Sequence, residues 1–216
     1  AGNFHGIEAV AVFSRWGKVA AAATVTQLVA TFPVSRLVLS GVAGGMQPGL
    51  VIGDVVVGAG LLQHDLDASP IFPRYEVPLL GKSVLEPDAG LRDRLVHAAE
   101  GFLRDDLGTQ VAPDALAAFA IRSPRVVSGI IASGDKFFAS AAEADELRGR
   151  LPGVACVEME GGAVAQVCEE YGIPFGVVRT VSDAANERSG HDFPRFIRDI
   201  ARHYSAGILA RFARGL

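Results

Sequence analysis

The sequence predicts a single α/β domain in three layers, and three observations carry that prediction. Short β-branched apolar runs alternate with Ala-rich or amphipathic stretches in the order β-α-β-β-α-β-α-β-α-β-α. The 216 residues are half apolar, enough for one sizeable core, and frequent glycine with only 7% aromatics suits helices lying close on a sheet. The third is the stretch Val154–Asp183, VACVEMEGGAVAQVCEEYGIPFGVVRTVSD, which reads as strand, helix, strand. In a βαβ unit two parallel strands end on one edge, so Glu158, Glu160 and Asp183 are expected to meet there, where open α/β sheets bind ligands.

Taken in order, Ile7–Phe13 (IEAVAVF) reads as a buried strand and Gly17–Phe32 as an Ala-rich helix ended by Pro33. Arg36–Ser40 is a third apolar run. It leads into Gly41-Val42-Ala43-Gly44-Gly45, read as a turn whose backbone a ligand can approach and whose amides are free for an anion or hydroxyl. A plain tight turn is the equal alternative.

Asp54–Leu62 is the next strand, with Gly53-Asp54 as the turn that opens it. His64-Asp65-Leu66-Asp67 follows, then a Pro-rich stretch to Pro87 containing Phe72, Tyr75 and Pro78. Loops this long tend to be functional or to contact a partner. His64, Asp65 and Asp67 lack the second cluster that a metal site needs, and no metal is expected.

Asp88–Leu107 is an amphipathic helix with Leu91, Leu95, Ala98, Ala99 and Phe102 on one face, and a polar connection runs to Ser123. Val126–Ala132 is a buried strand ending in Ser133-Gly134-Asp135-Lys136-Phe137-Phe138, whose two aromatics suit either a planar ligand or a core lid. Ala141–Leu151 is a helix. Within the central unit, Val154–Met159 is a strand and Gly161–Tyr171 a helix stopped by Gly172-Ile173-Pro174. Phe175–Val181 is a buried strand ending on Ser182-Asp183. Asn186–Gly190 reads as a turn and Asp192–Phe212 as a long helix with an arginine-rich outer face.

A net charge of −4 gives no electrostatic case for nucleic acid or a membrane surface, and no apolar run nears the ~20 residues of a membrane span. Cys156 and Cys168 read as reduced core thiols, which with the lack of a basic–apolar leader fits a cytoplasmic protein.

Carboxylates at strand ends suit a reaction that builds positive charge and needs a proton delivered. Glycoside cleavage is the natural case. From the pattern alone, capping remains an alternative for Glu160 and Asp183. No Ser-His-Asp order or phosphate loop competes.

Gly-Val-Ala-Gly-Gly (41–45), Gly53-Asp54-Val55-Val56, Ser133-Gly134-Asp135 with Phe137, Val157-Glu158-Met159-Glu160 and Arg179-Thr180-Val181-Ser182-Asp183 stand in this order. The set resembles the nucleoside phosphorylase/nucleosidase superfamily, with its pattern most like the bacterial 5′-methylthioadenosine/S-adenosylhomocysteine nucleosidases. The resemblance implies a three-layer α/β/α fold with a central mixed β-sheet, one domain over 1–216, and no cofactor.

It also implies roles. Asp183 would protonate the departing purine, supported by Ser182 and Arg179. Glu160 would hold the ribose hydroxyls with Met159 under the sugar, and Glu158 would lie on the nucleophile side. Phe137 would stack on the base, with the Phe138 backbone at its edge and Val42, Ala43 and Gly44 alongside. Phe193 would line a 5′-alkylthio pocket. Phe72, Tyr75 and Pro78, in loop 66–87, would cover the neighbour's site in a homodimer.

The nucleophile is read as water, because related phosphorylases place an Arg and a Ser or Thr where this chain has Leu39 and Val42. Futalosine hydrolysis, phosphorolysis and nucleoside binding without catalysis are the alternatives. Two departures stand out. About forty residues of the family's beginning, including a strand and a water-activating Glu, have no counterpart before Ile7, which reads as an incomplete chain because a central strand is rarely dispensable. The family's Ser-Gly-x-Gly-Lys run is Ser14-Arg15-Trp16-Gly17-Lys18, with two bulky residues near the expected 5′ pocket.

Overall fold

The first strand pair stands apart from the sheet that follows. β1 (Gly2–Phe4) and β2 (Ile7–Ala9) form an antiparallel hairpin around His5-Gly6, both with positive φ. The expectation of one buried strand over Ile7–Phe13 is therefore corrected. β2 is three residues long and, among the described residues, pairs with β1 alone, and Val12 and Phe13 beyond it are exposed. Apolar composition favours a strand locally, but burial needs a neighbouring strand, and β2 has only its hairpin partner.

The computed structural model describes residues 1–138, 140–183 and 189–215. After the hairpin come α1 (Lys18–Thr31), β3 (Leu37–Gly45) and β4 (Val55–Gln63). The glycine-rich 41–45 run is the second half of β3 and not a turn beyond it, a second correction. Glycine is tolerated in a strand where another group presses on the backbone, and here that group is an arginine described below. The 64–87 segment is built from turns and two isolated bridges, Leu61 with Leu85 and Val77 with Lys82.

α2 (Ala89–Gly101) starts at Asp88, whose side chain accepts from the Leu91 amide at 2.8 Å, the N-cap arrangement. A π-helical turn, Phe102–Asp106, joins it to α3 (Leu107–Gln110). The connection read as polar coil holds a short α4 (Pro113–Ala118), opened by proline at its first turn. β5 (Val126–Ser133), α5 (Ala141–Arg150), β6 (Val154–Glu158), α6 (Gly161–Tyr171) and β7 (Phe175–Asp183) follow. α6 ends on Gly172 in the left-handed conformation. The chain closes with α7 (Ser189–Phe196), a π-helical turn Ile197–Ala201 and α8 (Arg202–Arg214). Of the turn expected at Asn186–Gly190, residues 186–188 lie outside the described residues, and Ser189 and Gly190 open α7.

Five strands close into a mixed ring in the order β3-β6-β5-β4-β7. β3 and β7, β4 and β5, and β5 and β6 pair parallel; β4 with β7 and β3 with β6 pair antiparallel. β6 and β7 are thus not neighbours, and they run in opposite senses round the ring. The expected common edge of two parallel strands is replaced by a different convergence. Gly44 of β3 stands opposite Asp183 on one side and Val157 on the other.

Alternation along β4 divides the two flanking helical layers. Val55 and Val57 join Leu95, Phe102, Phe196, Tyr204 and Ile208 under α2 and α8. Val56 joins Ala21, Val25, Ile131, Val164 and Cys168 under α1 and α6. All nine residues of β7 are buried, as befits a strand covered on both faces. Cys156 and Cys168 are free, buried in the α1/α6 layer, and burial pushes the Cys168 thiol up to about 12.

Candidate active site

Glu158 is the last residue of β6 and is buried, so its charge requires donors. It has them. Both oxygens accept from the Gly161 amide (2.9 and 2.8 Å), and one accepts from the Glu160 amide at 3.1 Å. Ser133 Oγ, at the end of β5, donates to it, and the Arg179 guanidinium forms an ion pair with it. The carboxylate thereby occupies the N-terminus of α6, where backbone N–H groups and the helix dipole favour an anion.

Glu160 holds the N-cap position of α6 but makes no side-chain cap bond. Since Glu158 satisfies the helix end, Glu160 is free for other work. Its Oε1 accepts from the Gly17 amide at 3.1 Å, and its Oε2 lies 3.3 Å from Arg179. Burial pushes the Glu160 carboxyl above the usual carboxylate range, with Arg179 pulling it down and Glu158 pushing it up. Met159 lies half-buried between the two acids.

Arg179, on β7, is 3% exposed and bridges Glu158 and Glu160. Its room comes from Gly41, its partner in the β3–β7 ladder, where a Cβ would overlap the guanidinium. Gly41 is a residue whose role sequence reasoning missed; a glycine inside a strand was the available signal. Ser133 was missed as well. Its hydroxyl also accepts from the Gly162 amide at 2.6 Å, which locks β5 to the start of α6.

Asp183 ends β7 at 8% exposure. Ser182 Oγ lies 2.7 Å from Asp183 Oδ2 and 3.3 Å from the Ala43 carbonyl, which ties this carboxylate to β3. The Val42 side chain packs on the α2/α8 layer and that of Ala43 sits in the α1/α6 layer. In the ladder Gly44 stands opposite Asp183, just past a register shift between Ala43 and Gly44, while Val42 pairs with Thr180 and Ala43 with Val181.

The aromatics separate. Phe138 is buried, edge-on to His64 with centroids 5.5 Å apart. Phe137 is 43% exposed and meets Phe193 edge-on at 5.8 Å, and Phe193 meets Trp16 at 6.0 Å. Trp16 precedes Gly17, whose amide holds Glu160, so this aromatic group adjoins the carboxylates. Phe72, Tyr75 and Pro78 are half-buried in the 64–87 segment. The Tyr75 amide donates to the Leu66 carbonyl at 2.9 Å, and Arg74 lies over its ring. Among the described residues no hydrogen bond or ring contact joins these three to Glu158, Glu160 or Arg179.

Residues 1–214 match the family model described as the phosphorylase superfamily. The chain belongs to the phosphorylase superfamily. Within that superfamily it is 34% identical over 210 residues to the 5′-methylthioadenosine/S-adenosylhomocysteine nucleosidase of Geobacillus kaustophilus, spanning 97% of this chain and 81% of that protein. The Neisseria meningitidis nucleosidase, solved with methylthio-immucillin-A, superposes with a TM-score of 0.80 at 30% identity, covering 94% of this chain and 79% of that one. The futalosine hydrolase of Helicobacter pylori superposes with a TM-score of 0.74 at 30% identity, covering 94% and 78%. The phosphorylase-superfamily fold expected from the motifs, a mixed sheet between two helical layers, is thus the fold found.

Proposed function

We propose that this protein is an N-glycosyl hydrolase that releases adenine from 5′-methylthioadenosine, S-adenosylhomocysteine or a related adenine thionucleoside. The observation that carries the reading is the buried Glu158–Arg179–Glu160 group, joined through β3 to Asp183. Glu160 has one carboxylate oxygen beside a guanidinium and one beside an amide, an acceptor pair suited to vicinal ribose hydroxyls. Hydrogen bonds to a charged group are worth ~1.5–3 kcal/mol each. Asp183, steadied by Ser182, delivers the proton to the leaving purine. Glu158 fixes Arg179 on the nucleophile side. Met159 lies under the sugar, Phe137 and the Phe138 backbone take the base with the Val42–Gly44 backbone alongside, and Phe193 contacts the 5′-thioether.

Water is the nucleophile. Leu39 and Val42, at the positions where a phosphate would be gripped, pack against the α1/α6 and α2/α8 layers respectively. Arg179 is already shared by two carboxylates. The test is purine release with and without phosphate, using 5′-methylthioadenosine and its 2′-deoxy counterpart. Release is expected without phosphate and without ribose 1-phosphate, and the 2′-deoxy analogue should be rejected by up to ~10⁴. Phosphate-dependent release would overturn the reading.

A second reading, futalosine hydrolysis, is favoured by the Helicobacter pylori neighbour and by Trp16 against Phe193, which alters the wall expected to meet the 5′ group. Relative kcat/KM on the two nucleosides decides between them. The reading also includes a homodimer in which Phe72, Tyr75 and Pro78 meet the partner's site. Ile71 and Leu79 in the same loop are 82% and 93% exposed, apolar surface that an interface would cover. Light scattering at micromolar concentration is expected to give twice the chain mass; a monomer would reject it. The buried free thiols fit a cytoplasmic location.

A further inference from the structure

α1 begins without a cap of its own. Its N-cap is Gly17, at φ 93°, and no side chain within the helix's own first turn serves the free amides. Two carboxylates far along the chain serve instead. The Gly17 amide donates to Glu160, and the Lys18 amide donates to Asp135 Oδ1 at 2.7 Å.

Asp135 is itself held. Its amide donates to Asp65 Oδ2 at 2.9 Å, and Asp65 Oδ1 receives Lys18 Nζ at 2.6 Å. Lys18 to Asp135, Asp135 to Asp65 and Asp65 back to Lys18 form a closed ring through three distant segments. Lys18 Nζ also reaches Gln63 Oε1 at 3.1 Å, and Gln63 donates to Gln166 of α6 at 2.8 Å. The ring is therefore linked to the helix whose N-terminus carries Glu158 and Glu160. It also adjoins Phe137, two residues past Asp135.

We propose that Lys18 and Asp65 are positioning residues that hold the start of α1 and the 133–138 loop in one arrangement, so that Glu160 and Phe137 keep a set separation. The inference rests on the proposed sugar-binding role of Glu160. Neither residue touches Glu160 directly; both act through the Gly17 amide and the Asp135 backbone. The ring's geometry predicts a specific consequence. Breaking it loosens the grip on the sugar hydroxyls more than it weakens the fold, because the Lys18–Asp65 pair is partly solvent-exposed.

The experiment uses Lys18→Met, Asp65→Asn and the conservative Lys18→Arg. Amide hydrogen exchange at 18–21 and 134–138 is expected to speed up together in the first two and to return toward wild type in Lys18→Arg. Misplacement of a reacting group by about 1 Å costs ~10² in rate, so kcat/KM for the ribonucleoside should fall by up to that factor. The preference for ribo- over 2′-deoxynucleoside should fall about tenfold, since only the ribo-substrate loses contacts. Unchanged exchange in either segment overturns the ring as a coupling device, whatever the activity. Coupled exchange with an unchanged ribo/deoxy preference overturns its positioning role. Wild-type protein that releases no purine would overturn the nucleosidase reading instead, and the exchange arm would still decide whether the ring couples the two segments.

Discussion

Asp183→Asn is expected to reduce turnover by ~10²-fold or more while KM changes little, because a general acid contributes ~10²–10⁴ in rate and acts only as the bond breaks. The site supports such a split. Asp183 is nearly buried, and Ser182 Oγ holds its Oδ2 from 2.7 Å, a contact that an asparagine carbonyl can keep. Asparagine preserves shape and removes the proton that the departing purine needs. Steady-state kinetics on 5′-methylthioadenosine, with single-turnover rates to isolate the chemical step, provide the measurement. A variant retaining near wild-type turnover would remove Asp183 from the mechanism.

Arg179→Met should be the most damaging single change to stability. Removing one partner of a buried ion pair leaves the other charge uncompensated and costs ~3–5 kcal/mol. In a domain of about 200 residues each kcal/mol lowers the melting temperature by ~2–4 °C, so a fall of roughly 6–20 °C is expected. Two carboxylates lose their guanidinium at once, although Glu158 keeps Ser133 and two backbone amides as donors.

The loss should depend on pH. The Glu160 carboxyl is raised by burial and lowered by Arg179, so without the arginine it rises further. A raised carboxylate pKa favours the folded state below the unfolded value, and that advantage is lost as pH rises through the folded value. The deficit of Arg179→Met relative to wild type is thus expected to be largest near neutrality and to shrink toward pH 4. Thermal melts across that range check the sign; a pH-independent deficit would reject the charge argument. Adding Glu160→Gln should recover part of the loss, since the charge that burial disfavours most is then gone.

The signals that survived folding are those that report on the chain within a turn or two. Gly161–Tyr171 was readable as a helix to the residue because its small and apolar positions recur with helical spacing and Gly172 supplies a left-handed stop. Phe175–Val181 was readable as a buried strand because every residue in it except Gly176 and Arg179 is apolar or β-branched. The order of short motifs carried the superfamily, and with it Asp183, Glu160 and Arg179 as residues to examine.

What the sequence determined was therefore which segments are strands and helices in the central unit, and which side chains the proposed chemistry rests on. Tertiary structure alone decided how those pieces are shared out. It set β3 between β6 and β7, so the acids converge across a ring rather than along one edge. Helix capping went to Glu158, leaving Glu160 free, and Gly41 became the clearance for Arg179. Ile7–Phe13 was left outside the sheet despite its β-like composition. One physical reason covers the ring, the arginine clearance and the excluded hairpin, while the cap is local but depends on distant Ser133 and Arg179 holding Glu158 in place. Periodicity and propensity are sums over near neighbours, whereas strand partners, ion-pair partners and steric clearance are settled by groups tens to hundreds of residues apart, whose contact free energy appears only once the ring has closed.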